Sequence, residues 1–298
     1  MSPSHSLSRR TFLTGVAAAG GTVAVPGLLM GCSATDSSDD LLAAIRKQGY
    51  VRIGFANEAP YGFKDAGRLA GEAPTLHKEI FTALGVRELR ASVVDFGALI
   101  PSLNANRFDV VSAGMAITPE RCENAIFSEP EFISPTALMV RKGNPKKLAD
   151  LGSCASAAAR VAVLTAAVEK DYALAAGVER AKVISVQSQQ DGLDALVAGR
   201  VDAFALTGIS LNWLAKTNEG APVEVLQPFV PVVKGEQQYS PGGAVFRSKD
   251  TALRDAFNTE LKKITSDPDR YVGLVGKYGF GKSEIPPADL TTAALCKS

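Results

Sequence analysis

From residue 41 onward, short apolar runs alternate with stretches whose apolar positions recur every three or four residues, the pattern of strands followed by amphipathic helices. Residues 41–48 read as a helix, 50–56 (YVRIGFA) as a strand, 76–84 as a helix, 91–94 as a strand and 99–105 as a helix. Residues 109–113 read as a buried strand feeding a loop at 114–118. A second unit starts with a strand at 161–164, followed by a helix near 167–176, a strand at 182–186, a helix at 190–198 and a strand at 203–206 that completes its regular part. Two apolar stretches between the units, 137–140 and 243–246, read as crossover strands, so that the chain enters the second unit once and returns once. Helices at 250–264 and 271–276 then lie back on the first unit. Alternation of this kind predicts α/β lobes with largely parallel sheets, and no internal repeat is present.

The first residues follow a different rule. Ser8-Arg9-Arg10-Thr11-Phe12-Leu13 fits the twin-arginine export pattern, and the apolar run 12–30 supplies the core of a leader. Its length is near the roughly 20 residues of a membrane span. Gly15, Gly20, Gly21 and Pro26 weaken it as a helix, and it ends in Leu29-Met30-Gly31-Cys32, which resembles the lipobox of bacterial lipoproteins. The expectation is a signal peptide over 1–31, a lipid on Cys32 that anchors the mature chain to the membrane, and a polar tether over 32–40. The chain is therefore expected outside the cytoplasm, on the cell membrane.

Composition removes some classes of function. Lys and Arg number 32 against 31 Asp and Glu in 298 residues, a formal charge of +1 with no broad field for nucleic acid. Any recognition of charge has to be local.

Three stretches carry a resemblance that spans nearly all of the chain after the leader. They are Arg52 to Phe63 (RIGFANEAPYGF); Phe96 to Pro101 (FGALIP) with Arg107 to Val111 (RFDVV); and Gly114 to Arg121 (GMAITPER) with Phe127 to Pro130 (FSEP). Together they resemble the polar amino-acid class of periplasmic solute-binding proteins. Asn57 to Tyr61 (NEAPY), Arg121-Cys122 and the ending Leu290 to Cys296 (LTTAALC) are similar to the ectoine and hydroxyectoine binders within that class. The resemblance implies a periplasmic binding protein-like type II fold: two α/β lobes joined by two hinge strands, with the ligand in the inter-lobe cleft. Lobe 1 would comprise 41–137 plus 246–298, and lobe 2 138–245 with the hinge strands at its ends. A monomer without cofactor or metal, serving ABC permease subunits, is implied. So is a place for Cys122 and Cys296 in one lobe as the favoured disulfide pair, the alternative being that they and Cys154 are three buried thiols.

Ectoine is a small ring with one carboxylate and one delocalised cation, which calls for a bidentate cation, an anion and flat aromatic faces. Arg121 suits the carboxylate, because a planar guanidinium makes two parallel charge-assisted hydrogen bonds. By resemblance Tyr61 and Phe96 sandwich the ring, each adding ~0.5–2 kcal/mol by cation–π attraction. Tyr61, between Pro60 and Gly62, is expected to be a loop aromatic and not a core residue. Glu58 would accept from the ring N–H groups. Gly114 and Ala116 line the pocket. Thr165, near a helix N-terminus, would offer its hydroxyl to the carboxylate. Thr207 stands where amino-acid binders commonly place an aspartate for the α-ammonium, which argues against an ordinary α-amino acid. Ala116 stands where ectoine binders commonly carry a third aromatic, so the pocket is wider, filled by another side chain, or shaped for another compatible solute.

Other readings are weaker. Gly276 to Ser283 (GKYGFGKS) satisfies the phosphate-loop spacing, yet it follows a helix-like run and leads into Pro286-Pro287. His77 is the only histidine beyond the leader, and no GxSxG elbow is present. A matched set of charges and aromatics describes a binder and no enzyme. A dehydratase on the same fold and a ligand sensor remain the alternatives of another class.

Overall fold

In the computed structural model, which describes residues 39–297, the alternating pattern becomes two five-stranded sheets, each covered by helices. The first sheet has the order Glu88–Val93, Tyr50–Phe55, Val110–Ala116, Gly242–Phe246, Ile126–Phe127. Its first three strands are parallel, while Gly242–Phe246 runs antiparallel to both of its neighbours. The second sheet has the order Val223–Val225, Thr136–Arg141, Ala203–Thr207, Val161–Leu164, Val183–Val186, with the last three parallel and the first two pairings antiparallel. Both sheets are thus mixed, each with a parallel three-stranded part, where largely parallel ones were expected. The reason is connectivity: a strand reached by crossing from the other lobe arrives from the opposite end and pairs in the reverse sense.

Thr136–Arg141 lies inside the second sheet and Gly242–Phe246 inside the first, so the crossings are the segments before them, 128–135 and 226–241, and not the crossover strands expected at 137–140 and 243–246. The second crossing carries a two-residue hairpin, Val232–Val233 against Glu236–Gln237. A helix that the hydrophobic pattern did not announce, Gly208–Thr217, follows the last parallel strand of the second lobe. It sends Ile209 and Trp213 onto the core of the first lobe.

Both faces of the second sheet are buried with a period of two. Leu138, Val140, Val161, Val163, Ala203 and Ala205 enter one core, while Ala137, Met139, Ala162, Leu164, Phe204 and Leu206 enter the other. This is why these strands read as continuous apolar runs. In the first lobe the helices Glu72–Ala83, Thr251–Thr265 and Pro268–Val275 close one face around Phe81, Phe246, Phe257 and Tyr271. His77 lies in this core with no exposed surface, its Nε2 2.9 Å from Glu131 Oε1, and takes no part in the cleft. Cys122 and Cys296 form a disulfide and Cys154 is a buried thiol. The leader, the twin arginines and Cys32 lie outside the described residues. Among the described residues no helix is long and apolar enough to cross a membrane.

Candidate functional site

Strand Val110–Ala116 delivers the site. After it, Thr118 caps the short Pro119–Cys122 helix, its Oγ1 accepting from the Arg121 N–H at 3.3 Å, and this turn aims Arg121 back over the strand end. Arg121 Nη1 donates to the Ala116 carbonyl (2.7 Å) and Nη2 to the carbonyl of Ala166 in the other lobe (2.8 Å). Its guanidinium carbon lies 5.3 Å from the centre of the Phe96 ring. Burial lowers the Arg121 pKa, with Glu169, Tyr172, Glu120 and Asp171 pulling the other way. A guanidinium has five N–H donors, so two carbonyls leave it with spare ones. Among the described residues no carboxylate forms an ion pair with it.

Phe96, Ala116 and Arg121 line an inter-lobe cleft of about 1600 Å³, together with Tyr172 and Ser240, whose hydroxyls are 3.2 Å apart. Glu58, Tyr61, Gly114, Thr165 and Thr207 do not line it. Three of these five, Glu58, Tyr61 and Thr207, lie where the lobes touch directly. Glu58 is partly buried, and its Oε1 accepts from Ser210 Oγ at 3.1 Å across the lobes. Burial first, then the Glu169 carboxylate, raise its pKa to about 8, against the pull of Ser210 and Arg121.

Tyr61 departs from expectation. It is 2% exposed, its ring 4.9 Å from Phe132 and 5.6 Å from Phe280, and its hydroxyl donates to Thr207 Oγ1 at 3.1 Å. The ring is a core residue of the first lobe whose polar tip reaches the second. Gly114 explains how it fits: at φ 58° the glycine carries no Cβ where one would overlap the Tyr61 ring. Thr165 is also spent elsewhere. Its Oγ1 donates to the Val186 carbonyl at 3.1 Å, within its own lobe, and the helix it was expected to begin starts only at Glu169.

Sequence reasoning missed Glu169, Ser210 and Gln189. Glu169 is 2% exposed, and burial, opposed by a bond to its own backbone N–H and by Arg121, raises its pKa to about 7. Gln189, with its amide nitrogen facing the Ala59 carbonyl, donates there at 3.0 Å and accepts from the Ala59 N–H at 3.1 Å, joining the lobes. Each looks like a surface position of a helix, and only the opposing lobe makes it otherwise. Gly276 to Ser283 forms single turns around Gly279 after the Pro268–Val275 helix, where a phosphate loop would follow a strand.

The pattern of the bacterial extracellular solute-binding proteins, family 3, matches residues 51–281. Over 262 residues the chain is 34% identical to a probable amino-acid ABC transporter periplasmic-binding protein of Sinorhizobium fredii, covering 86% of each. It is 28% identical to the L-arginine-binding protein of Pseudomonas aeruginosa over 240 residues, 76% of this chain and 87% of that one. Among solved structures, EhuB in complex with hydroxyectoine is similar at a TM-score of 0.77 and 35% identity, covering 87% of this chain and 99% of the other. An ancestral arginine-binding protein bound to arginine is similar at 0.67 and 29%, covering 77% and 98%.

Proposed function

The chain belongs to the bacterial extracellular solute-binding proteins, family 3, and from that premise we propose that it captures a small zwitterion, ectoine or hydroxyectoine, and hands it to the permease of an ABC importer. The observation that carries the ligand is Arg121: a half-buried guanidinium at the cleft, 5.3 Å from the Phe96 ring centre, hydrogen-bonded to both lobes and, among the described residues, without a carboxylate of its own. A ligand carboxylate completes it, with bidentate geometry that lysine does not reproduce. Phe96 supplies the aromatic face, and Glu58, held by Ser210 beside the cleft, supplies the anion for the ligand cation once the ligand displaces that bond. Tyr61 acts by holding Thr207 and the second lobe rather than by stacking on the ligand. Closure then draws on contacts made only when the lobes meet.

A basic amino acid is the second reading. The arginine-bound relative favours it, and so does the second buried carboxylate, Glu169. The twin-arginine leader and lipidation at Cys32 belong to the same proposal and keep the protein at the outer face of the membrane, beside its permease. The test is a calorimetric titration with ectoine, hydroxyectoine, glycine betaine, proline, glutamine and arginine. Tight binding of either ectoine supports the first reading; a response to arginine alone replaces it with the second, and silence to all overturns both.

A further inference from the structure

The family pattern ends at residue 281, and the segment after it returns to the cleft. Pro287, Asp289, Leu290 and Leu295 line the same cleft as Arg121. The segment is fastened to the first lobe at three places. Thr292, which is buried, donates from its backbone N–H to Glu129 Oε2 at 2.9 Å and from its hydroxyl to the Ser128 carbonyl at 2.5 Å. Leu295 and Cys296 pack on the core cluster of Val111, Met115, Ile117 and Phe127, on which Phe96 and Cys122 also rest. The third fastening is covalent: Cys296 is bonded to Cys122, the residue that follows Arg121.

The turn that bears Arg121 needs such a fastening. Pro119–Cys122 is a helix of four residues, and a single turn fixes several dihedral angles for one hydrogen bond, so it does not stand on its own. Its local bonds are those of the Arg121 and Cys122 N–H groups to Thr118, at 3.3 and 3.0 Å, and that of the Asn124 amide to the Glu120 carbonyl at 3.1 Å. Beyond the turn, Asn104 donates to the Asn124 carbonyl at 3.0 Å, and at Cys122 the disulfide joins the turn to a residue 174 positions away.

We infer that the segment 287–296 belongs to the ligand site and that the Cys122–Cys296 disulfide positions Arg121 for the ligand carboxylate. The inference rests on the reading that Arg121 meets a ligand in this cleft. A guanidinium makes two parallel bonds to a carboxylate in one orientation, so a turn fixed in advance spares the ligand the cost of ordering it. With the disulfide broken, Arg121 keeps its charge and loses its fixed base. Capture then weakens, while the first sheet, whose strands are held by their own ladders, keeps its fold.

The test titrates the full chain with ectoine and with arginine, oxidised and after reduction by dithiothreitol, in the native protein and in Arg121→Lys. The dithiol takes the disulfide to two thiols, giving up two electrons and two protons and closing to its own cyclic disulfide. The titrations are made below the unfolding temperature of the reduced chain, which its circular dichroism spectrum sets. In the native protein reduction should weaken binding about tenfold, the equivalent of ordering one long side chain afresh. In Arg121→Lys, whose ammonium makes no bidentate bond, reduction should weaken it less than about threefold. The variant Cys122→Ser with Cys296→Ser should bind like the reduced native protein. Equal weakening in the native protein and Arg121→Lys, or none in the native protein, overturns the inference.

A ligand-free measurement separates this outcome from failure of the proposed function. By hydrogen–deuterium exchange, reduction should speed the Arg121 and Cys122 amides at least about tenfold and leave those of Val110–Ala116 unchanged. If neither ligand binds even the oxidised native chain, the proposed ligands are wrong, and the exchange alone decides on the disulfide, a uniform or absent acceleration counting against it.

Discussion

At the scale of single residues, Arg121 and Tyr61 are held by contacts of very different reach along the chain. An arginine after a strand end and a Pro-initiated turn has few ways to place its long side chain, and the turn bonds and Phe96 lie within 25 residues of it in sequence. Tyr61 is decided by Phe132 and Phe280, which are 71 and 219 positions away and carry no local signal. Replacing Arg121 with Ala leaves a bound carboxylate unpaired, at a cost of ~3–5 kcal/mol if fully desolvated. Calorimetry should then find ligand binding weakened by more than about a hundredfold, with the circular dichroism spectrum unchanged. Ala116 points the same way. It lines the cleft beside Arg121 and Phe96, and Ala116→Phe adds an aromatic face where there is room for one. Ectoine affinity should rise by the equivalent of ~0.5–2 kcal/mol, read by the same titration.

At the scale of elements, the strands and long helices could be read because each carries its own signal, a continuous apolar run at Val161–Leu164 and a helical period over Thr251–Thr265. Gly208–Thr217 could not. It opens on glycine, whose missing Cβ lets Pro228 approach, and its exposed-looking Ile209 and Trp213 are buried only by the other lobe. The Cys122–Cys296 disulfide is an element-scale device: it ties the Thr292–Leu295 turn to the one bearing Arg121 across 174 residues of sequence. Loop-closure entropy for so long a separation predicts up to about 5 kcal/mol. The double variant Cys122→Ser with Cys296→Ser should unfold at correspondingly lower urea concentration, and the native protein should match it when unfolded with strong reductant.

At the scale of the whole molecule, the lobes meet through direct hydrogen bonds: Glu58 to Ser210, Tyr61 to Thr207, Arg121 to Ala166 and, with the Gln189 amide nitrogen facing the Ala59 carbonyl, two between Gln189 and Ala59. Neither Gln189 nor Ala59 lines the cleft, so their bonds are expected to persist when a ligand occupies it. Gln189→Ala should open the ligand-free protein, increasing its radius of gyration in X-ray scattering, and weaken ligand binding several-fold by removing closed-state contacts. The amino-acid sequence by itself determined the α/β alternation, the two-lobed family and the cationic centre of the site, because strand and helix periods and the stretch around Arg121 are local properties of the chain. Only the tertiary structure decided the mixed sheets, the core position of Tyr61 and the bond of Glu58 to Ser210, because each depends on what a residue meets after two crossings of the chain, and a contact between the lobes is a property of both together.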